Sequence, residues 1–343
     1  MHSLIAQVRA GGHLTAEQIA TAVAHLTAAE WEDEVKAELL RALRDKGETV
    51  EEIAAFARAL LSLAVDPGLD LARLPGPVID VCGTGGDRME LFNISTTSMF
   101  VLAAGGAVVV KHGNRAITSK CGGADVLEQL GVKIDLPPAP LRRCVETIGL
   151  GFIFAPAYHP AFKAISPVRK LLASQGIPTV FNLLGPLLNP ARPSFQLVGI
   201  FDRTLLPKYA EVLRALGRER AWAVHGDGMD ELATTGPSEV HDVTPAGIRF
   251  FEVDAALLGI APAWLEDLRG ADGAGNAQIL TGILDGSLRG APRDIVALNA
   301  AAGFVVAGIS PDLSSGLILA HEQIDSGAAL AKLHALQRFT AGA

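Results

Sequence analysis

From residue 78 onwards, short apolar runs alternate with longer segments of helical pattern, and this alternation restricts the chain to a few architectures. The apolar runs predict buried strands at residues 78–82, 107–110, 152–154, 196–200 and 221–224. The helical segments between them occupy residues 94–104, 123–130, 139–148 and 204–216. Strands that alternate with helices form a mostly parallel sheet with helices packed on its faces. We therefore expect an α/β domain with a mostly parallel central sheet and flanking helices.

The remaining segments extend this picture at both ends. Residues 239–243 and 248–253 flank a turn at 244–247 and predict a local hairpin, and helices return from Asn276. The first 65 residues predict helices alone, and three helix starts carry a capping-box pattern: Thr15 with Gln18, Thr27 with Glu30, and Thr49 with Glu52. Residues 66–77 are rich in proline and glycine and predict a linker. We expect a small all-α N-terminal domain at 1–70 and a large α/β domain at 71–343.

Charge and cysteine usage exclude several classes of protein. The net charge is −8, which argues against nucleic acid or an anionic membrane as the main partner. The most continuous apolar stretch, residues 99–110, is shorter than the roughly 18 residues that span a bilayer, and the N-terminus carries no signal-peptide pattern. The three cysteines lack C-x-x-C spacing, which excludes a disulfide scaffold or a zinc ribbon and fits a reducing cytosol. We expect a cytoplasmic protein.

A glycine-rich loop, Gly-Thr-Gly-Gly-Asp at 83–87, directly follows the first predicted strand. Glycines let the backbone turn sharply and bring its N–H groups close to a ligand. Ligands of α/β proteins bind at the carboxyl ends of the strands. This placement favours a phosphate or pyrophosphate site over a plain strand-to-helix turn. The loop matches neither the Walker A nor the dinucleotide-binding pattern.

Two further polar stretches lie where they can complete an anion site. Residues 93–98, Asn-Ile-Ser-Thr-Thr-Ser, open the next predicted helix. They are either a plain N-cap or a cradle in which helix N–H groups and hydroxyls face a phosphate. Residues 111–120 follow the second strand and supply cations, an amide and hydroxyls. Such a loop is often merely solvated, but its place beside the other two suits a polyphosphate sugar.

An acidic loop follows the strand at 221–224, and a basic residue lies in the middle of the chain. Residues 225–231 contain Asp227, Asp230 and Glu231. They form either an acidic surface turn or a magnesium site, because Mg²⁺ takes one or two carboxylates and shares its other positions with water and substrate phosphates. Arg169 can clamp a carboxylate in a bidentate pair, or it forms an ordinary salt bridge. Zinc and acyl-enzyme patterns are absent from the sequence.

These motifs occur together in an order that resembles one family. The sequence contains Gly-Thr-Gly-Gly-Asp at 83–87, Asn-Ile-Ser-Thr at 93–96, Lys-His-Gly-Asn-Arg at 111–115, Ala-Asp-Val-Leu-Glu at 124–128, His-Pro at 159–160, Phe-Asn-Leu-Leu-Gly-Pro-Leu at 181–187 and Asp-Glu at 230–231. The chain resembles the anthranilate phosphoribosyltransferases over nearly its whole length, including Leu-Asn-Ala-Ala at 298–301.

The resemblance implies a fold, a reaction and a site. It implies a helical domain, joined by helices from about 159–180, an active site between the two domains, and a homodimer formed through the helical domain. It implies transfer of phosphoribose from phosphoribosyl pyrophosphate to anthranilate, with release of pyrophosphate, in tryptophan biosynthesis. The residues it places on phosphoribosyl pyrophosphate are Gly83, Gly86, Asp87, Asn93, Ser95, Thr96, Lys111 and Ser119. Those it places on Mg²⁺ are Ser95, Asp230 and Glu231, and those it places on or near anthranilate are Gly83, Asn114, Arg169, His112, Tyr158 and His159.

Two other classes share this architecture by resemblance. One is a pyrimidine nucleoside phosphorylase, and the other is a non-enzymatic relative that binds nucleic acid. The stretches at 93–96 and 111–115 favour the transferase over the phosphorylase, and the net acidity disfavours nucleic acid. For the transferase, Lys111, Asp230 and Glu231 are the expected catalytic residues because they would stabilise the leaving pyrophosphate. An aromatic amine is neutral at pH 7, so no general base is required, and His112 is a candidate only for late proton removal.

Overall fold

The computed structural model describes residues 1–86, 89–116 and 120–343. The N-terminal region of the chain is helical. It contains α1 (His2–Arg9), α2 (Ala16–Thr27), α3 (Asp33–Lys46) and α4 (Val50–Ser62). The capping boxes at Thr15 and Thr49 are both present, so these two predicted helix starts are confirmed. The prediction at Thr27 is wrong. Thr27 ends α2, where its hydroxyl donates to the Val23 carbonyl one turn earlier (2.8 Å), and α3 begins only at Asp33 with Glu32 as its N-cap.

A later helical segment packs on this N-terminal bundle. The segment contains α8 (Ala155–Tyr158), α9 (Phe162–Ser174) and α10 (Phe181–Leu184), and α9 contacts both α2 and α3. Ile165 and Val168 of α9 are fully buried in the same apolar cluster as Ile19, Leu39 and Phe56 of the bundle. Burial of apolar side chains is the main force that holds such elements together. Residues far apart in sequence therefore build one helical unit.

The sheet of the described residues has seven strands in the order β3-β2-β1-β4-β5-β6-β7. The strands are β1 (Val78–Gly83), β2 (Val108–Gly113), β3 (Leu150–Phe154), β4 (Phe195–Gly199), β5 (Arg220–Gly226), β6 (Ser238–Thr244) and β7 (Gly247–Val253). β1 to β5 pair in parallel, whereas β6 and β7 form the antiparallel hairpin at one edge. The expected mostly parallel α/β sheet and the hairpin are confirmed.

Helices cover both faces of this sheet. The further helices are α5 (Ile94–Ala104), α6 (Gly123–Gln129), α7 (Pro138–Ile148), α11 (Leu206–Ala215), α12 (Gly273–Leu284), α13 (Ala291–Val306), α14 (Leu313–Asp325) and α15 (Ala328–Ala341). Of these, α5, α7, α11, α13 and α15 pack on the strands, and α6, α12 and α14 pack on other helices. α5 and α13 pack against each other and on the central strands, and almost every residue of α13 from Arg293 onward is buried. α11 packs on β5 and β6 and also contacts α4, which joins the sheet to the N-terminal bundle. None of the helices in the described ranges is long and apolar enough to cross a bilayer.

The order of the strands fixes where a ligand can bind. From β1 the chain moves outward to β2 and β3, and it then returns to β4 on the opposite side of β1. Connections on the two sides of such a switch point diverge and leave a crevice at the carboxyl ends of the strands. The crevice lies between the ends of β1 and β4, where the glycine-rich loop begins.

Candidate active site

The glycine-rich loop and the acidic loop are in direct contact at this crevice. The backbone N–H of Gly85 donates to Oδ2 of Asp230 (2.7 Å). A Cβ atom at Gly83 would overlap the Asp230 carboxylate, and one at Gly199, the last residue of β4, would overlap the Asp230 backbone. β1 and β4 both end in glycine because Asp230 packs on their ends and leaves no room for a side chain. Asp87, the last residue of the motif, lies outside the described residues.

The acidic loop has a tight turn that brings its two predicted metal ligands to the crevice. Gly226, which ends β5, exchanges two backbone hydrogen bonds with Met229 (2.8 and 3.1 Å). Asp227 and Gly228 between them have φ values of 50° and 86°, in the left-handed region. The chain reverses here and enters the crevice with Asp230 and Glu231, both of them half-buried. The structure thus brings Gly83 and Asp230 together, although 145 residues separate Gly85 from Asp230.

The start of α5 forms a second wall of the crevice. The first N–H groups of a helix have no partner within the helix, so they are available to an anion. The side chain of Asn93 does not cap them. Its Nδ2 donates to the Cys121 carbonyl (3.1 Å), and its Oδ1 accepts from Nδ2 of Asn276 on α12 (3.0 Å). Asn93 therefore links the Cys121 backbone and α12 to the start of α5. No motif in the sequence singles out Asn276.

Lys111 joins the walls of the crevice. Its Nζ donates to the Val81 carbonyl of β1 and to Oγ of Ser95 in the first turn of α5 (3.2 Å). The lysine side chain is only 4% exposed. Thr96 lies in the same turn, and a Cβ at Gly123 would come within 2.9 Å of its Oγ1. Ser119, another residue of this predicted set, lies outside the described residues.

A buried carboxylate of β1 contacts the backbone of β2 next to Lys111. Asp80 of β1 is fully buried, and its two oxygens accept from the backbone N–H of His112 (3.3 Å) and from Nδ2 of Asn189 (2.9 Å). Burial raises the pKa of Asp80, and the charge of Lys111 opposes that rise. The sequence carries one signal of this residue, which is an acidic side chain inside the apolar run 78–82.

Aromatic rings lead from the end of β2 to α9. The rings of His112 and His159 lie 5.2 Å apart, and Phe162 and Phe181 continue the row at 5.3 and 5.9 Å. The guanidinium of Arg169 lies over the Phe181 ring at 5.4 Å. Burial lowers the pKa of Arg169, and within the described ranges this cation forms no ion pair. A desolvated arginine beside aromatic rings can bind the carboxylate of an aromatic acid.

Two residues predicted near this row have other surroundings. Tyr158 is 1% exposed, and its hydroxyl donates to the Leu136 carbonyl (2.9 Å) within the core of the α/β domain. Asn114 is exposed in the loop after β2, where its Oδ1 accepts from the Arg115 backbone N–H (2.8 Å). The structure groups His112, His159 and Arg169 through the ring row but does not place the Tyr158 hydroxyl there.

His112 gives a prediction about pH. Burial lowers its pKa to about 3, and repulsion from His159 adds to this shift. Below pH 6.5, His112 takes up a proton in the unfolded chain but stays neutral in the folded protein. The free energy of unfolding that neutral His112 contributes is therefore lost as the pH falls from 6.5 towards 3. Urea titration measures the free energy of unfolding at pH 7 and at pH 5. Its decrease between these two pH values should be about 1–2 kcal/mol smaller for His112→Gln than for wild type. Exposed His334→Gln is the control, and equal losses in all three proteins would contradict the shift.

The donor atoms of the crevice fit Mg²⁺ better than a metal bound by protein alone. Among the described residues no cluster of three or more His, Cys, Asp or Glu side chains can enclose a metal. Asp230 and Glu231 offer hard carboxylate oxygens beside the glycine loop, and Ser95 offers a hydroxyl across the crevice next to Lys111. Mg²⁺ is usually bound by one or two carboxylates and completes its shell with water and substrate phosphates. The residues present match that requirement.

Comparison with known families gives this geometry a context. Residues 2–64 match the helical bundle domain of a glycosyl transferase family, and residues 75–330 match its a/b domain. An anthranilate phosphoribosyltransferase of Moorella thermoacetica is 45% identical over 97% of this chain and 96% of its own length. The relative from Roseiflexus castenholzii is 46% identical with the same coverage. The chain belongs to the anthranilate phosphoribosyltransferase family.

Solved structures of this family have the same fold. The anthranilate phosphoribosyltransferase of Thermus thermophilus has a TM-score of 0.90 and 40% identity, and the match covers 98% of this chain and 99% of that one. The Saccharomyces cerevisiae enzyme, solved in complex with PRPP and Mg, has a TM-score of 0.83 and 27% identity over 96% of this chain and 93% of that one. These relatives support the expected transferase and not the nucleoside phosphorylase or the nucleic-acid-binding protein. The chain is a transferase of the anthranilate phosphoribosyltransferase family.

Proposed function

We propose that this chain transfers the phosphoribosyl group of 5-phosphoribosyl 1-pyrophosphate to the amine of anthranilate. The products are N-(5-phosphoribosyl)anthranilate and pyrophosphate, in the second step of tryptophan biosynthesis from chorismate. The observation that carries this proposal is the crevice between β1 and β4, where Asp230 contacts the glycine loop and Lys111 links β1 to the start of α5. A polyphosphate sugar needs such a combination of backbone donors, a cation and metal-binding carboxylates.

The donor would lie in this crevice on backbone N–H groups and small side chains. Its proposed contacts are Gly83, Gly86, Asp87, Asn93, Ser95, Thr96, Lys111 and Ser119. Asp230, Glu231 and Ser95 would hold Mg²⁺. When bound, Mg²⁺ would neutralise charge on the pyrophosphate. The yeast relative, whose structure contains both PRPP and Mg, supports this assignment.

Anthranilate would bind along the ring row, with its carboxylate towards Arg169. His112 and His159 line the row, and the proposed acceptor set also includes Gly83, Asn114 and Tyr158. A solved structure of the yeast relative contains 4-fluoroanthranilate. The desolvated guanidinium, which has no ion-pair partner in the described part of the chain, is the observation that favours a carboxylate at this end.

The chemistry follows from charge development at the anomeric carbon. As its bond to pyrophosphate breaks, positive charge grows on the ribose and negative charge on the leaving group. Lys111 and the N–H groups at the start of α5 face that negative charge, and they are held in place before the reaction. The aromatic amine attacks in its neutral form, so we assign no general base. Neutral His112 is available only as a late proton acceptor, because its pKa of about 3 makes it a weak base.

Arg169→Ala should weaken the binding of anthranilate far more than that of the donor. Loss of a charge-assisted, bidentate contact predicts an increase in the KM for anthranilate of about 10- to 100-fold. Steady-state assays in which each substrate is varied in turn measure the KM for anthranilate and the KM for the donor separately. The neighbouring exposed lysine, changed in Lys170→Ala, is the control and should behave as wild type. An unchanged KM for anthranilate would remove Arg169 from the acceptor site.

We also propose a domain division and a subunit arrangement. The division lies near residue 70, with the helices from about 159–180 joining the N-terminal bundle, and contacts of α9 with α2 and α3 support it. We propose a homodimer formed through this helical domain. An apolar groove between α2 and α4, lined by small residues and by Leu63 at 43% exposure, supports that surface. Light scattering that gives the mass of one chain would contradict the dimer.

We place the protein in the cytoplasm, with small-molecule substrates and no nucleic-acid partner. The three cysteines, all within the described ranges, are buried and free of disulfides, as a reducing compartment allows. The net charge of −8 argues against a nucleic-acid partner.

The decisive experiment follows the fluorescence of anthranilate. With purified protein, fluorescence should fall only when phosphoribosyl pyrophosphate and Mg²⁺ are both present, and one pyrophosphate should appear for each anthranilate consumed. Uridine or thymidine with inorganic phosphate serves as the competing assay. Turnover of a nucleoside without loss of anthranilate fluorescence would overturn the proposed function.

A further inference from the structure

A buried asparagine of α13 contacts the backbone that follows the two acidic residues of the site. Asn299 is 1% exposed. Its Oδ1 accepts from the backbone N–H of Leu232 (3.0 Å), and its Nδ2 donates to the Leu232 carbonyl (2.9 Å). The same Nδ2 donates to the Ile295 carbonyl one turn earlier in α13 (2.9 Å). One side chain thus pairs with both backbone groups of the residue directly after Glu231.

The acidic segment is also fixed from its other side. Side chains at Gly83 and Gly199 would overlap Asp230, so the segment packs tightly on the ends of β1 and β4. Beyond Leu232, the backbone N–H of Ala233 donates to Oγ of Ser238 (2.9 Å). The acidic pair therefore lies between the strand ends and α13, and Asn299 makes the hydrogen bonds on the α13 side. Loss of the Asn299 bonds would release the backbone after Glu231 from α13, while Asp230 would still accept from the Gly85 N–H.

We propose that Asn299 is a positioning residue that holds Asp230 and Glu231 where they bind the phosphoribosyl donor together with Mg²⁺. This inference rests on the proposed function. A side-chain amide presents an acceptor and a donor side by side, which Leu232 requires. Aspartate keeps the acceptor for the Leu232 N–H. Its second carboxylate oxygen would face the Leu232 and Ile295 carbonyls, to which it cannot donate and which repel it. Leucine keeps the shape but leaves both buried backbone groups of Leu232 without their partner.

The test separates donor binding from acceptor binding. Isothermal titration measures the Kd of phosphoribosyl pyrophosphate with Mg²⁺ present, and steady-state assays measure the half-saturating Mg²⁺ and both KM values. For Asn299→Leu and Asn299→Asp we expect the donor Kd and the half-saturating Mg²⁺ to rise about 10-fold or more, as for other residues that orient metal ligands. The KM for anthranilate should stay within about twofold, because the ring row does not depend on this contact.

A matched control distinguishes positioning from a general loss of stability. Val306 is fully buried two turns later in the same helix, and Val306→Ala should lower the melting temperature while leaving the donor Kd unchanged. Should Asn299→Leu not fold, Asn299→Asp decides the question. Donor Kd values within twofold of wild type in the folded variants, or equal rises in the KM of both substrates, would overturn the inference. If wild type itself binds no phosphoribosyl pyrophosphate with Mg²⁺, the proposed function fails, and this inference fails with it.

Discussion

Replacing Asp230 and Glu231 together by alanine should lower kcat/KM for phosphoribosyl pyrophosphate by about 10³-fold or more, because a single preorganised electrostatic group is worth about 10²–10³-fold. Asp230 also accepts the Gly85 N–H, so its replacement removes both a proposed metal ligand and a bond that anchors the glycine loop. The change should appear in the kinetic constants for phosphoribosyl pyrophosphate and in the dependence of the rate on Mg²⁺. Rates are measured over a series of Mg²⁺ concentrations, with circular dichroism to verify the fold.

The same loop offers a control for the loss of negative charge. Asp227 is exposed, has φ of 50°, and accepts from the Thr235 hydroxyl (2.6 Å). Asparagine tolerates that backbone conformation, so Asp227→Asn removes one charge from the loop without straining the turn. It should keep kcat/KM within about threefold of wild type, as surface changes usually do. A double variant as active as Asp227→Asn would show that Asp230 and Glu231 do not hold the metal.

Most of the fold could be predicted because its strands and helices leave local patterns. β1 differs from the predicted run 78–82 by one residue, and α5 has the predicted bounds, because buried strands and hydroxyl-rich helix starts are visible in neighbouring residues. The error at Thr27 has a local cause. A threonine followed three residues later by glutamate fits a capping box, but a threonine hydroxyl can also bond to the carbonyl four residues earlier, and that bond formed.

The contacts that assemble the site could not be predicted from local patterns. Asp80 meets Asn189 over 109 residues, and Asn299 meets Leu232 over 67. Gly199 reads as an ordinary end of a strand, and only the structure shows that Asp230 occupies the space of its missing side chain. Motif resemblance could name candidate residues for ligand contact. It carries no signal for buried residues such as Asp80, whose role is set by partners that the chain brings together only on folding.

Lys111→Met should lower kcat by about 10²–10³-fold, because in the proposed function the ammonium would face the charge that develops on the leaving group. The side chain lies buried between Val81 and Ser95, so methionine fills its volume but supplies no donor. Lys170→Met, which changes an exposed lysine of α9, is the control and should retain wild-type turnover. Single-turnover rates at saturating donor separate the chemical step from binding. A rate within about fivefold of wild type would exclude Lys111 from leaving-group stabilisation.

Stability of the same variant should depend on pH through Asp80. Removal of the Lys111 charge takes away a cation that opposes the rise in the pKa of the buried Asp80 carboxyl, so that pKa should rise further. A carboxyl whose folded pKa exceeds its unfolded pKa binds its proton more tightly in the folded state, so its unfavourable contribution shrinks as the pH falls through the folded pKa. The difference in free energy of unfolding between wild type and Lys111→Met should therefore be smaller at pH 5 than at pH 8. An equal difference at both pH values would mean that Asp80 is not the counter-charge of Lys111, and that the lysine is held in the crevice by its bonds to Val81 and Ser95 alone.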